Sequence, residues 1–403
     1  MIKKTLVLSF GMCLLFFFSC TGTEKEPEIR SEIINGTKNV FNSYRPLKGE
    51  ISLDLEKTVE IDSVSTRSPE PVFFDQVDLD SEGTVYLSDS RNLKIHKFKE
   101  DGTWISSFSI SGEGPGEFSR MGDLQIVQNE IWIAGNWPLQ IARYNPDGTY
   151  VSDWRSERFY NYYLQPIVLD ENRFLSVGFQ QQEMAGSPER RRISALRDFD
   201  ENVLQTYFIR LNVGPMILTV GNDPPLQVSF TNASIVPRIL HAYDRGSGIL
   251  YVFLNLEYRI ELKDLGGDIL LVVHKDNENR RITERDRDEL VPLLTARLSP
   301  KIQEEVKERL PDSFCAISGL TPLCNGHFAV HRVTGVSSIE LDIFDREGKF
   351  IHTVLASEEV PSLISLRFFD GRVGWIEHLE DRDVYHGFEI KNLPQIFKNS
   401  SAD

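Results

Sequence analysis

Residues 109–118 read SISGEGPGEF, with Gly112, Gly114 and Gly116 alternating with Glu113, Pro115 and Glu117. A glycine-rich run is the first place to look for phosphate chemistry, because amides at a helix N-terminus cradle anions. Here the glycines are spaced G-x-G-x-G, no Lys-Ser/Thr follows, and two glutamates would face the anion. The next residues, SRMGDLQIV, turn into a short apolar strand with no helical period. The spacing therefore predicts a bend in scaffold rather than a nucleotide site.

Metal and nucleophile chemistry have equally little to start from. The eight histidines are scattered, and H-E-x-x-H, C-x-x-C and G-x-S-x-G are all absent. His327 and His331 share one face of a strand pattern. They stand about 13 Å apart along it, too far to bind one ion together.

The elements that would position any site come from the repeat. VDLD (77–80), TVYLSD (84–89), LKIHKF (93–98) and TWISSFSI (103–110) are short alternating strands joined by turns such as Asp101-Gly102. Alternation with Asp-Gly turns is a hairpin signal, and four strands in some 45 residues make the size of one propeller blade. The unit recurs at 123–155, with Asp147-Gly148 at the same turn. A third copy starts at PIVLDENRFLSVGF and carries a polar insertion near 180–192. The fourth, fifth and sixth start at RILHAYD, LTPLCNG and LISLRFF. The sixth has three strands, and GEISLDLEKTVEID (49–62) is an extended segment without a partner. The expected fold is an all-β, six-bladed β-propeller of four-stranded blades spanning 49–398, closed by that N-terminal strand because closure removes open sheet edges. GEGPGEF then becomes the crossing from blade one to blade two.

Two segments break the period. Residues 211–236 read as a long ordered loop. Residues 282–310 place Leu290, Leu293, Leu294, Leu298, Ile302, Val306 and Leu310 at helical spacing, with Pro300 opening a second helix after Ser299. This helical insertion is expected as a lid, a partner surface or packing against the blades.

Within the repeat, Asp80, Gly83, Tyr86, Asp89, Asn92, Ile95, Phe98, Asp101, Gly102 and Phe118 follow D-x-x-G-x-x-Y-x-x-D, N-x-x-I-x-x-F, D-G and the closing glycine-rich run. That pattern resembles an NHL-type repeat. At the chain start, MIKKTLVLSFGMCLLFFFSC has a basic n-region, Lys3 and Lys4, and an apolar core too short to span a membrane as a mature helix. It ends in Phe17-Phe18-Ser19-Cys20, which resembles a bacterial lipobox with Cys20 as the lipidated residue. Residues 1–19 are thus expected as a lipoprotein signal peptide and 20–48 as a flexible, polar tether. Together these features resemble the TolB-like/NHL-like six-bladed propeller lipoproteins common in Bacteroidota. That resemblance implies an outer-membrane lipoprotein, periplasmic or surface-facing, without implying a reaction.

The formal charge of -16 becomes -18 when Lys3 and Lys4 leave with the signal. An acidic body of this kind argues against nucleic acid as a partner. Cys315 and Cys324 remain after processing, and pairing them requires the chain between them to fold back, since nine residues of continuous strand would hold them about 30 Å apart.

In a propeller the loops between second and third strands, and the crossings into inner strands, meet at one mouth of the channel. The repeat assigns that mouth Arg91, Arg120, Trp137, Tyr163, Arg238, Tyr258, His331, Arg332, Glu377 and His378. Aromatic faces beside Arg, His and carboxylate suit a small polar or peptide-like ligand, or an envelope protein. No cofactor and no committed metal set is expected. The alternative is a metal-assisted lyase or hydrolase using His331, His378 and Glu377, as related propeller lyases and lactonases do at the same mouth.

Overall fold

The structure is a computed structural model, and it describes residues 28–66, 68, 70–136, 139–156, 164–182, 189–200, 202–211, 216–220, 226–230, 234–295, 298–336, 338–355, 366–369 and 372–392. The expected signal peptide, Cys20, Trp137 and Tyr163 lie outside them.

Six sheets, each with four antiparallel blade strands, carry the repeat. Blade one runs Gln76–Leu79, Val85–Asp89, Lys94–Phe98 and Trp104–Ser109 from channel to rim, and blade two runs Asp123–Val127, Glu130–Asn136, Leu139–Tyr144 and Tyr150–Arg155. The inner strands of blades three to six are Leu164–Val168, Ile239–Asp244, Ile317–Pro322 and Arg367–Phe369. The rim of blade six is Leu55–Asp62, paired antiparallel from Leu55↔Ile390 to Asp62↔Val384. The N-terminal closure read from the sequence is therefore present.

The core is divided among the blade contacts. Tyr385, Val59 and Phe74 fill the seam between blades six and one, while Tyr251, Phe328 and Phe344 fill that between four and five. Each fully buried aromatic side chain of this size stabilises by roughly 1.5–3 kcal/mol relative to exposure. The turn glycines serve the same seams. Gly348, at φ +80°, is packed so closely that a Cβ there would stand 2.7 Å from Val273 and 2.9 Å from Leu271. The outer hairpin of blade five thus leans on the rim strand of blade four, and only glycine permits both the turn and the approach.

Glu117 closes the glycine-rich bend from inside. Its carboxylate accepts the Gly114 N–H at 2.8 Å, Phe118 is buried, and Phe118 N donates to Ile110 O at 2.6 Å. The space an anion would need is filled by the loop's own carboxylate, so this is scaffold.

Three expectations need correction. Residues 29–42 are not tether: Ile29–Ile34 and Thr37–Asn42 form a hairpin that adds to the rim of blade four, the second strand running parallel to Ile269–Lys275. Polar composition hid this, because Val40 is the one buried apolar residue of the second strand, beside the buried Asn39 and Asn42, and the gain comes from backbone pairing. The described residues of the polar insertion of blade three continue the sheet, as Arg173–Gln182 pairs with Glu189–Asp198 out to Gln182↔Glu189. The long loop before blade four contains a hairpin, Met216–Val220 with Leu226–Phe230.

The two helices appear where periodicity placed them, α1 at Glu284–Thr295 and α2 at Pro300–Glu308. Thr283 and Asp286 cap α1 reciprocally, through Thr283 N to Asp286 Oδ2 at 2.8 Å and Asp286 N to Thr283 Oγ1 at 3.3 Å. Leu290, Val291 and Val306 pack on Ile235, Val236, Val333 and Val336. The helices cover the crossing into blade four and a loop of blade five, and none of their described residues lines the channel.

Candidate functional site

Inner strands from all six blades enclose a cavity of about 390 Å³ along the axis. Its polar lining includes Gln76, Asp78, Asp123, Gln125, His241 and Arg367. Strand alternation explains the set. Val77 and Leu124 turn into the blade seams opposite Leu87 and Ile133, which leaves residues 76, 78, 123 and 125 on the other face.

Several of these side chains stitch one blade to the next. Gln76 donates to Gly122 O at 2.6 Å and accepts from Leu124 N at 2.7 Å. Gln125 repeats the bond pair one blade later, to Pro166 O at 2.5 Å and from Val168 N at 3.0 Å. Asp78 accepts from Ile126 N at 2.6 Å and Leu79 N at 2.9 Å. Among the described residues, inner strands of neighbouring blades are not paired backbone to backbone, so side-chain amides and carboxylates meet the free amides instead.

The electrostatics are unusual for carboxylates. Burial pushes Asp78 up to about 6, with the Ile126 and Leu79 amides pulling back. Burial likewise raises Asp123 to about 6 against the opposing pull of Arg367. Both groups are surrounded by protein yet border the cavity, so they change charge close to neutral pH. A ligand ammonium or hydroxyl placed between them would meet an acceptor above that pH and a donor below it.

None of the described residues assigned to the channel mouth lines the axial cavity. Arg91 is exposed and stacks its guanidinium 4.0 Å from the Phe73 ring centroid. Arg120 is exposed. The backbone of Arg238 is held through Arg238 N to Asn255 Oδ1 at 2.6 Å, and burial lowers the pKa of its side chain. Tyr258 is 6 % exposed and gives its hydroxyl to Asp342 at 2.7 Å. Arg332 binds that same carboxylate at 3.0 Å and also pairs with Glu340. These last two belong to a buried charge cluster between blades four and five rather than to the channel.

The metal triplet also comes apart. His331 lies inside the strand Phe328–Val333, not in a loop, and its Nε2 meets Thr321 Oγ1 at 3.0 Å. Burial and then Arg367 push it down to about 4. His378 ends the strand Arg372–His378 and engages Asp383 at 2.8 Å, whereas Glu377 points to the other face and engages His386 at 2.9 Å. Adjacent strand residues face opposite ways, which separates Glu377 from His378. Among the described residues no three His, Cys, Asp or Glu side chains are placed to hold a metal ion. Cys315 is a buried free thiol.

The polar loop residues largely hold crossings in place. Asp89 accepts Phe73 N at 3.2 Å, Arg91 N at 3.1 Å and Asn92 N at 2.9 Å, and Asp383 accepts Phe74 N at 2.9 Å. The channel residues Gln76, Asp78, Asp123, Gln125 and Arg367 were not singled out from the sequence. Their signal was the polar residue recurring within inner strands, in DQVDL, GDLQI and SLRFF.

No family model matches the chain, and no curated protein does. Among solved structures it is similar to a protein assigned to export from Bacteroides fragilis NCTC 9343. The match has 11% identity and a TM-score of 0.51, covering 87% of this chain and 99% of that one. A member of the DUF4221 family from Bacteroides vulgatus matches at 9% identity and a TM-score of 0.48, covering 84% and 99%. A streptogramin B lyase matches at 10% identity and a TM-score of 0.37, covering 82% and 97%. At such identities the first likeness speaks to architecture alone. The chain has the six-bladed β-propeller fold, shared with an exported Bacteroides protein.

Proposed function

We propose that this protein is an exported lipoprotein, anchored through Cys20 to the outer membrane, whose propeller is a binding module for a small polar or peptide-like ligand. The observation that carries the reading is the 390 Å³ axial cavity with Asp78, Asp123 and Arg367 on its wall. The ligand site thereby moves from the channel mouth to the channel itself. A ligand bearing both an ammonium and a carboxylate fits the two signs of charge present there.

The test is a thermal-shift screen of residues 21–403 against amino acids, dipeptides and polyamines at pH 5 and 7.5. A probe at a hundred times its Kd stabilises by about 2.7 kcal/mol, an easily read shift. Stabilisation at pH 7.5 that is lost in Asp123→Asn supports the channel site. A probe that acts equally on wild type and Asp123→Asn places the ligand elsewhere. Anchoring is tested separately by acyl labelling of the full chain, which Cys20→Ser should abolish.

A further inference from the structure

Residues 28–48 form a strap around the flank of blades four and five. The hairpin Ile29–Ile34 and Thr37–Asn42 extends blade four. The chain then passes Tyr44 and runs beside the rim of blade five, where Leu47 N and Lys48 N donate to Phe350 O and Ile351 O at 3.0 and 2.9 Å. Its first described residue, Glu28, sits with Ser43 and Asp276 in this same region.

Two features of the strap are independent of each other. The first is composition. Arg30, Lys38, Arg45 and Lys48 stand against Glu28 and Glu32, a balance of +2 (four minus two) in a chain of -16. Arg30, Arg45 and Lys48 are exposed, and so are Ile33 at 70 % and Tyr44 at 58 %, with Ile34 and Leu47 beside them. Cations mixed with exposed aliphatic and tyrosine side chains suit an anionic lipid interface, where Tyr sits at headgroup level and each Lys or Arg contributes about 1 kcal/mol. The second is reach. Eight residue steps separate Cys20 from Glu28, and at full extension they span at most about 29 Å.

We infer that the strap is a membrane-facing surface, laid on anionic headgroups by the lipid at Cys20. This inference rests on the anchoring reading above. A tether running to residue 48 would leave the propeller free to present any side. A strap bound to blades four and five instead turns that flank toward the bilayer and directs blade one, on the opposite side of the ring, away from it.

The experiment attaches residues 21–403, carrying an N-terminal His tag, to vesicles containing nickel-chelating lipid, so that its outcome does not depend on acylation. A Cys324→Ser background carries one dye at Lys38→Cys or at Thr103→Cys on the outer hairpin of blade one, with an energy acceptor in the bilayer. On phosphatidylglycerol vesicles, transfer from residue 38 should exceed transfer from residue 103 several-fold. Arg45→Glu with Lys48→Glu should shrink that difference, as should replacing phosphatidylglycerol by phosphatidylcholine. Equal transfer from both positions on phosphatidylglycerol would overturn the proposal. So would a difference unaffected by either change, which would leave tether length as the sole cause. Failure of acyl labelling at Cys20, by contrast, would remove the anchor and leave these vesicle results standing.

Discussion

Lys275 Nζ lies 3.1 Å from Asp342 Oδ2, and neither side chain has any exposed surface. The ammonium also sits 4.8 Å from the Tyr258 ring centroid, 4.7 Å from that of Phe350 and 5.2 Å from that of Tyr44. Asp342 additionally accepts from Arg332, from Tyr258 and, at 3.2 Å, from Thr353 Oγ1. One carboxylate therefore holds blades four and five together from the inside, and the aromatic rings replace part of the hydration that the ammonium lost.

That asymmetry predicts unequal losses. Asp342→Asn strands the Lys275 ammonium in a desolvated pocket, leaving Arg332 with Glu340 alone, and should cost about 3–5 kcal/mol. Lys275→Met leaves Asp342 still paired with Arg332 and fills the aromatic cage, so it should cost less than half as much. Urea unfolding of both single variants and the double variant checks the order. A larger loss for Lys275→Met would contradict it.

Asn42 predicts the worth of the strap. Its side chain donates to His274 O at 3.0 Å and Gly348 O at 2.9 Å, and accepts from Phe350 N at 2.8 Å, joining blade four to blade five. Asn42→Ala leaves buried backbone groups unpaired, an expected loss of about 2–4 kcal/mol. Hydrogen exchange should show the hairpin 29–42 losing protection in this variant while blades one and two keep theirs.

Asp123 and His331 predict opposite pH effects within one window. The Asp123 carboxyl is raised to about 6 in the folded chain, above the ordinary unfolded value. The folded state therefore holds the extra proton between about pH 4 and 6. Its contribution is full below pH 4 and is lost as pH rises through 6. His331 is lowered to about 4, so the unfolded state holds the extra proton between about 4 and 6.5. Its contribution is full above pH 6.5 and is lost as pH falls through 4. Asp123→Asn should raise stability at pH 7 by on the order of 1–3 kcal/mol, and His331→Gln should raise it at pH 4. Denaturant midpoints at pH 4, 5.5 and 7 test both signs.

Gly348→Ala tests the seam directly. The new methyl would meet Val273 and Leu271 with the backbone at φ +80°, and about 1–3 kcal/mol should be lost. The same substitution at Gly248, at φ +72° with nothing within 4 Å, should cost only the backbone strain. The difference between the two thermal midpoints isolates the contact.

Much of this architecture is local chemistry and so was legible in the chain. Asp101-Gly102, Asp147-Gly148 and Glu347-Gly348 need only neighbouring residues to turn, and two-residue alternation needs only the next strand to pair. The blade count, the closing strand Leu55–Asp62 within the predicted 49–62, the scaffold role of GEGPGEF and the two helices all follow from signals of that range. Tertiary structure decided the rest, because it depends on partners hundreds of residues away. Val40 finds Val273 across 233 positions, and Asn42 finds Gly348 across 306; no local pattern marks either. His331 looked like a loop histidine until strand register set it against Thr321. Asp78 and Asp123 looked like ordinary strand polar residues until six blades closed around them. A side chain's type is written in the sequence, but its solvation is set by what the assembled ring places against it, and solvation determines its charge.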